Sequence, residues 1–316
     1  MDEIAVLIPC YNEEKTIEKV IRDAKENLPE AVIYVYDNNS TDNTYRLSLE
    51  AGATVRKEHL QGKGNVLRRM FREIDARCYL IIDGDDTYPL ECGREMTRLV
   101  LEENADMVVG DRLSSTYFIQ NKRPFHNFGN SFVRFSINSL FDCNIKDIMT
   151  GYRAFSFNFV KTFPIISKGF EIETEMTIHA VTNNMDVRNV VVEYRDRPEG
   201  SISKLSTCSD GFKVIKTMVR LFKNYKPLAF FNLFALILTA LSIGFFVPVF
   251  LEYLSTGLVE RIPTLIVCTC VLLAAIMSFF AGLILSSIAE KNRRDFEQTL
   301  ININLLKRNL DEERKE

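Results

Sequence analysis

Apolar residues fall in short runs over the first half of the chain and in long ones near its end. Ile4 to Ile8, Ala31 to Tyr36, Tyr79 to Ile82 and Ala105 to Val109 are continuous apolar runs bounded by polar turn residues, the pattern of strands buried on both faces. Helix-like stretches lie between them, at Glu13 to Leu28, Lys63 to Ile74 and Glu91 to Glu102. Alternation of this kind predicts an α/β domain with a mainly parallel sheet covered on both faces. Ligands of such sheets bind beyond the carboxyl ends of the strands.

The later runs have a different meaning. Leu228 to Leu251 and Ile262 to Ala289 contain no Asp, Glu, Lys, Arg or His, and at about 1.5 Å per residue each is long enough for the roughly 30 Å core of a bilayer. The link Glu252 to Arg261 is too short for a domain, which predicts a transmembrane hairpin. Lys213, Lys216, Arg220, Lys223 and Lys226 precede the first span, and Lys291, Arg293 and Arg294 come after the second, against one Arg in the link. The positive-inside bias then places the N-terminal domain and both termini in the cytoplasm, as expected of a multi-pass cell-membrane protein. The start at Met1 has no cleavable-signal pattern to oppose that orientation.

Just before the first span, Phe212, Ile215, Met218, Val219, Phe222 and Tyr225 recur at helical spacing among the basic residues; residues 209–226 carry five of these against Asp210, a net of +4. The segment reads as an interfacial helix on an anionic leaflet. After the second span, Phe296, Leu300, Ile303, Leu306 and Leu310 form a short coiled-coil-like stripe, compatible with self-association or with folding back on the cytosolic domain. The expected organisation is a cytosolic α/β domain over 1–208, the interfacial helix over 209–226, two spans over 227–289 and a helical tail over 290–316.

Composition narrows the function. At 316 residues with 47% hydrophobic content, the chain can fill a sizeable core. The net charge of −3 argues against nucleic acid as a partner. Seven cysteines at 10, 78, 92, 143, 208, 268 and 270 include no CxxC pair, which disfavours a disulfide scaffold or structural zinc. No GxGxxG comes after the first strand and no Walker A sequence occurs.

The strand ends are instead acidic and amide-rich: Pro9-Cys-Tyr-Asn-Glu-Glu, Asp37-Asn-Asn-Ser-Thr-Asp and Asp83-Gly-Asp-Asp-Thr-Tyr-Pro. Asp83 and Asp85 supply the hard oxygens that Mg2+ or Mn2+ prefers, with substrate phosphates completing the shell. Asp37 could accept hydrogen bonds from a base or ribose, while Ser40, Thr41 and Asp42 also suit a turn and helix start. Gln61-Gly62-Lys63-Gly64 could bring a lysine and open backbone to phosphates, or simply turn the chain.

Pro9-x-Tyr11-Asn12-Glu13, Asp37-Asn38-x-Ser40-x-Asp42, Gly62-Lys63-Gly64, Asp83-x-Asp85, Gly110-Asp-Arg112 and Thr150-Gly151-Tyr152-Arg153 occur in one order. Over residues 1–226 this set resembles the inverting glycosyltransferases of family 2, most of all the polyprenyl-phosphate sugar transferases that include dolichyl-phosphate mannose synthase and bacterial undecaprenyl-phosphate glucosyltransferases. The resemblance implies a GT-A nucleotide-sugar fold. It places Pro9, Tyr11, Glu13, Asp37, Lys63 and Asp83 around the nucleotide sugar, and Asp83 and Asp85 at the metal. Arg112 and Arg153 face the acceptor phosphate, as does Arg123 by a looser match. The family's acidic triplet reads Asp83-Gly-Asp85-Asp86 here, so which carboxylates touch the metal stays open.

The implied reaction is an in-line displacement by the acceptor phosphate at the anomeric carbon of a nucleotide-diphosphate hexose, with UDP-glucose or UDP-N-acetylglucosamine expected. A phosphate monoester, with its second pKa near ~6, needs no strong base. Asp85, Asp147 and Arg153 are the expected catalytic groups, Asp147 as an orienting or assisting carboxylate. A hydroxyl acceptor would need a base, for which Asp147, Glu173 and Glu175 are candidates; of the last two, two residues apart on a helix, at most one should line the cleft. Phe128, Phe132, Phe135, Leu140 and Phe141 suggest a bilayer contact beside the basic helix, though core packing explains such a stretch as well. The rival functions are transfer to a hydroxyl of a growing glycan, disfavoured by the missing Gln-x-x-Arg-Trp and the absence of any Trp, and a non-catalytic membrane scaffold.

Overall fold

The structure is a computed structural model that describes residues 1–115, 134–135, 138–139, 144–169, 171–195, 219–220 and 222–313. The chain divides into two compact units, one of residues 1–214 and 299–316, the other of residues 215–298.

The first unit is built on a seven-stranded sheet in the order β3-β2-β1-β4-β6-β5-β7. Its strands are β1 (Asp2–Cys10), β2 (Val32–Asp37), β3 (Thr54–Lys57), β4 (Ala76–Ile81), β5 (Met107–Asp111), β6 (Arg153–Ser156) and β7 (Val187–Val191). All neighbours run parallel except β6, which is antiparallel to both β4 and β5. The sheet is therefore mixed, and the chain leaves β5 and enters β6 at one and the same rim.

Helices α1 (Ile17–Asn27), α2 (Thr44–Glu50), α3 (Lys63–Glu73), α4 (Gly93–Leu101), α5 (Phe157–Thr162) and α6 (Ile172–Thr182) accompany it. Ile17, Val20, Ile21 and Ala24 form the buried stripe of α1, at the three- and four-residue spacing of one helical face. They pack with Ile4, Val6, Ile8, Val108, Tyr152 and Ala154 in one core layer. On the opposite face Phe71 of α3 and Phe159 of α5 meet the Phe155 ring, with centroids 6.2 and 4.5 Å apart. Apolar area thus leaves water on both sides of the sheet, the largest stabilising contribution available to this unit.

The second unit holds α7 (Pro227–Thr256) and most of α8 (Ile262–Glu313). Both are long and apolar enough to cross a membrane. The left-handed Gly257 ends α7, with φ of 70°. Ala235, Ser242 and Val249 of α7 and Cys268 and Ala275 of α8 are buried among mostly exposed apolar neighbours, and they recur every seventh residue, as in a coiled-coil seam. Small side chains let the backbones approach: the Ser242 hydroxyl donates to the Cys268 carbonyl at 2.9 Å, and Ser278 to that of Phe231 at 3.2 Å. The expected second span and tail are one continuous helix. Of the expected interfacial helix, only residues 219–220 and 222–226 are described; Phe212, Ile215 and Met218 lie outside the described residues.

Candidate active site

Sheet topology dictates where a site can form. From β1 the chain winds outward through β2 and β3, then crosses to the other side of β1 for β4; such a reversal opens a crevice at the carboxyl ends of the strands. Pro9 and Tyr11 at β1, Asp37 at β2 and Asp83 to Asp86 after β4 all reach this rim.

The first two loops are laced together. The backbone N–H groups of Asn12, Glu13 and Glu14 donate to Ser40 Oγ, Thr44 Oγ1 and Asp42 Oδ2 at 2.9, 2.8 and 3.1 Å, and Thr41 N–H donates to Asn12 Oδ1 at 2.8 Å. Ser40 and Asp42 thus serve as struts for the Tyr11-Asn12-Glu13 loop. Asn38 ties in the next loop: its Nδ2 donates to the Glu58 and Leu60 carbonyls, both at 2.9 Å, and its Oδ1 accepts from Gly62 N–H at 2.7 Å.

Asp37 is 1% exposed. Its Oδ2 accepts from Ser40 N–H at 3.4 Å while Oδ1 has no hydrogen-bond partner. A buried acceptor left unpaired costs about 1–3 kcal/mol, and a hydroxyl or amide brought to the end of β2 would relieve that cost. Pro9 and Glu13 are half-buried and Tyr11 is exposed beside it.

The three acids after β4 have separate environments. Asp86, at a positive φ of 57°, pairs with Lys19 of α1 at 2.5 Å. Asp85 is buried and accepts from Thr87 Oγ1 at 2.7 Å. Asp83 is the most open, 27% exposed at its side chain, and its Oδ1 accepts from Lys63 Nζ at 2.6 Å. The same ammonium lies 2.8 Å from Glu173 Oε1 on α6, with both of those side chains buried. Burial by itself would lower the Lys63 pKa, but the charges of Asp83 and Glu173 outweigh it and hold the pKa above the ordinary lysine value. Burial dominates at Glu173 and raises its pKa in spite of Lys63.

Gly62, at φ of 126°, and Gly64 have a packing role: an added Cβ would stand 2.2 Å from the Lys168 carbonyl oxygen at the first and 2.2 Å from the Ser167 carbonyl oxygen at the second. The start of α3 therefore abuts backbone here, and Lys63 turns inward between two carboxylates. Gly151 abuts that same pair, since its Cβ would come within 2.4 Å of Asp83 Oδ2 and 2.8 Å of Lys63 Nζ.

On the other side of the rim, Arg112 donates through Nε to Asp147 Oδ2 at 2.8 Å, through Nη1 to Tyr88 Oη at 3.2 Å and through Nη2 to the Met149 carbonyl at 3.2 Å. Asp147 is fully buried behind it, which suits an orienting carboxylate. Arg153 departs from expectation. It is 0% exposed, and its guanidinium donates to the Thr150 and Ile148 carbonyls at 3.0 and 2.6 Å and to Thr177 Oγ1 at 2.8 Å. The antiparallel course of β6 sends this side chain into the layer under α6, so it braces residues 148–150 instead of facing an acceptor phosphate. Burial pushes its pKa down to about 10 against the opposing charges of Glu173 and Asp147. Arg123, Phe128, Phe132, Leu140 and Phe141 lie outside the described residues, and Phe135 is exposed.

Glu173 and Glu175 do face differently: Glu175 accepts from the Ile166 and Ser167 N–H groups at 3.1 and 2.9 Å, whereas Glu173 is buried behind the rim and reaches Lys63. Its link to Lys63 and the Tyr88 contact to Arg112 are not expected from sequence. The alternation of polar and apolar positions offers no sign of either, because each joins distant segments.

The model of the family described as Glycosyl transferase family 2 matches residues 5–163, a stretch that contains Asp37, Asp83, Asp85, Arg112, Asp147 and Arg153. The chain belongs to glycosyl transferase family 2. It is a glycosyltransferase with a GT-A fold, as its motifs imply. Among family 2 relatives, Glycosyltransferase AglJ of Haloferax volcanii is 29% identical over 304 residues, covering 93% of this chain and 97% of the relative. A dolichyl-phosphate hexose transferase of the same organism is 26% identical over 220 residues, 69% of this chain and 93% of the relative. The solved glucosyl-3-phosphoglycerate synthase of Mycobacterium tuberculosis, in complex with Mn2+, UDP and phosphoglyceric acid, superposes with a TM-score of 0.54 at 21% identity, covering 70% of this chain and 78% of that one.

Proposed function

We propose that the protein transfers a hexose from a nucleotide-diphosphate sugar to a polyprenyl phosphate at the cytoplasmic face of the membrane, with inversion at the anomeric carbon. The observation that carries this reading is that a family 2 catalytic unit with acids at three strand ends continues, in one chain, into two helices long enough to span a bilayer. The dolichyl-phosphate hexose transferase among its relatives supports a polyprenyl phosphate acceptor. The UDP bound by the mycobacterial synthase supports a uridine diphosphate donor, with glucose or N-acetylglucosamine as the sugar.

In this reading Asp37 Oδ1 accepts a hydrogen bond from the donor nucleotide, and Pro9, Tyr11 and Glu13 line its pocket. Asp83 and Asp85 hold Mg2+ or Mn2+ beside the diphosphate. Their chemistry fits: both are hard oxygen donors at one strand end, and Asp83 is the more open. Among the described residues no cluster of three or more His, Cys, Asp or Glu could hold a metal alone, so substrate oxygens complete the shell. A divalent cation held by Asp83 and Asp85 would supply neutralisation of the diphosphate charge. Arg112, squared up by Asp147, Tyr88 and the Met149 carbonyl, binds the acceptor phosphate; a planar guanidinium matches two phosphate oxygens. The acceptor oxygen then forms its bond to C1 as the C1–O bond to the diphosphate breaks.

The test supplies the detergent-purified chain with Mg2+ or Mn2+, undecaprenyl phosphate and a panel of radiolabelled UDP- and GDP-sugars. The expected product is a lipid monophosphate sugar, stable to alkali and cleaved by mild acid, whose formation stops with EDTA. Transfer to glycan hydroxyls with none to polyprenyl phosphate would support the rival transferase reading, and no transfer from any donor would sink both.

A further inference from the structure

Lys63 is shared by two acids from distant parts of the chain, only one of which faces the crevice. Its ammonium stands 2.6 Å from Asp83 Oδ1 and 2.8 Å from Glu173 Oε1. Lys63 and Glu173 are 9% and 5% exposed at the side chain, and Asp83 is 27% exposed. Asp83 is thus the outward member of a three-group array whose other two members are internal.

We propose that Glu173 is a positioning residue that acts through Lys63 to keep Asp83 available to the divalent cation. The inference rests on the proposed role of Asp83 and Asp85 in holding that cation. A buried lysine facing Asp83 alone would compete with a metal for the same carboxylate. A second carboxylate on the ammonium divides its charge and holds it on Oδ1, away from Oδ2. Gly151 meanwhile packs against Oδ2, where its added Cβ would stand 2.4 Å away, so the carboxyl group is confined from two sides. The charge count agrees: Asp83, Asp85 and Glu173 against Lys63 leave a net of −2, the complement of a divalent ion. With a neutral residue at 173, the count falls to −1 and Lys63 closes fully onto Asp83.

The experiment measures Mn2+ affinity of the full detergent-purified chain in the presence of UDP, from the electron paramagnetic resonance of free Mn2+, with folding followed by circular dichroism. Glu173→Gln should weaken Mn2+ binding about tenfold, on the scale of one lost unit charge at a partly screened site. The double variant Lys63→Met/Glu173→Gln removes both internal charges together, so neither is left buried without the other, and restores the count of −2. It should bind Mn2+ within about threefold of wild type. A Glu173→Gln affinity within twofold of wild type overturns the inference, as does a double variant that binds tenfold or more below wild type. Should Glu173→Gln fail to fold, the double variant decides alone. Asp83→Asn separates the levels: if it binds Mn2+ as wild type does, the metal reading falls and this inference with it. If it abolishes binding while Glu173→Gln changes nothing, only the inference falls.

Discussion

Two glycines of the site make contacts of nearly equal closeness with opposite consequences. At Gly64 an added Cβ would stand 2.2 Å from the Ser167 carbonyl oxygen and 2.8 Å from its carbon. These are backbone atoms, so Gly64→Ala must prise the start of α3 from the 167–168 segment. Overpacking of this kind costs about 1–3 kcal/mol, a fall in melting temperature of roughly 2–12 °C for a unit of this size. At Gly151 the added Cβ would meet Asp83 Oδ2 at 2.4 Å and Lys63 Nζ at 2.8 Å, both of them side-chain ends and not backbone. Gly151→Ala is therefore expected to melt within about 2 °C of wild type. To reach ordinary contact, however, the carboxylate must retreat by ~1 Å, and a displacement of that order in a reacting array can cost about 100-fold in rate. Sugar transfer to polyprenyl phosphate and thermal melting, measured on both variants, check the pair. Gly151→Ala activity within threefold of wild type, or a loss of melting temperature equal to that of Gly64→Ala, would refute the reasoning.

Arg112→Lys replaces three directed hydrogen bonds by one point charge and should raise KM for polyprenyl phosphate about tenfold while the donor KM stays within twofold; an equal rise in both would remove Arg112 from the acceptor side. His179, packed against the Phe159 and Phe163 rings, has its pKa pushed down to about 4 from the ordinary 6.5 by burial. The unfolded chain then binds the extra proton first, so the stabilisation from a neutral His179 is complete above pH 6.5 and lost as pH falls toward 4, by up to roughly 3 kcal/mol. Melting curves across that window should show a fall that His179→Gln lacks, and identical pH profiles for the two proteins would exclude His179 as its source.

The strands that the apolar runs predict, β1, β2, β4 and β5, are those whose central residues are mostly buried on both faces, which calls for consecutive apolar positions there. β3 escapes that pattern because Thr54 and Lys57 are exposed at the sheet edge, and β7 because Arg188 and Asn189 interrupt its apolar run. β6 is short and opens on Arg153, a residue type almost never buried without partners. Read alone, that arginine belongs on a phosphate; only the antiparallel course of β6, with Ile148, Thr150 and Thr177 waiting as acceptors, turns it inward. The acids at the strand ends are legible because strand ends are where an α/β sheet exposes its chemistry. The Lys63–Glu173 pair is not, since it depends on how α6 docks against the start of α3, which no local spacing encodes. The apolar run marks Pro227–Thr256 nearly to its ends, but α8 runs on through Glu290 and Arg294, paired at 2.5 Å along the helix, because charged residues continue a helix as readily as apolar ones once it has begun.

The departure from β5 at Asp111 and the return into β6 at Arg153 share one edge, so the two feet of the intervening chain stand on neighbouring strands. The pairing of Arg153 with Val109 on one side and with Ile81 on the other ties those feet into the sheet. On the proposed function, a descendant could take up a new recipient molecule through changes between those feet while every strand stays in register.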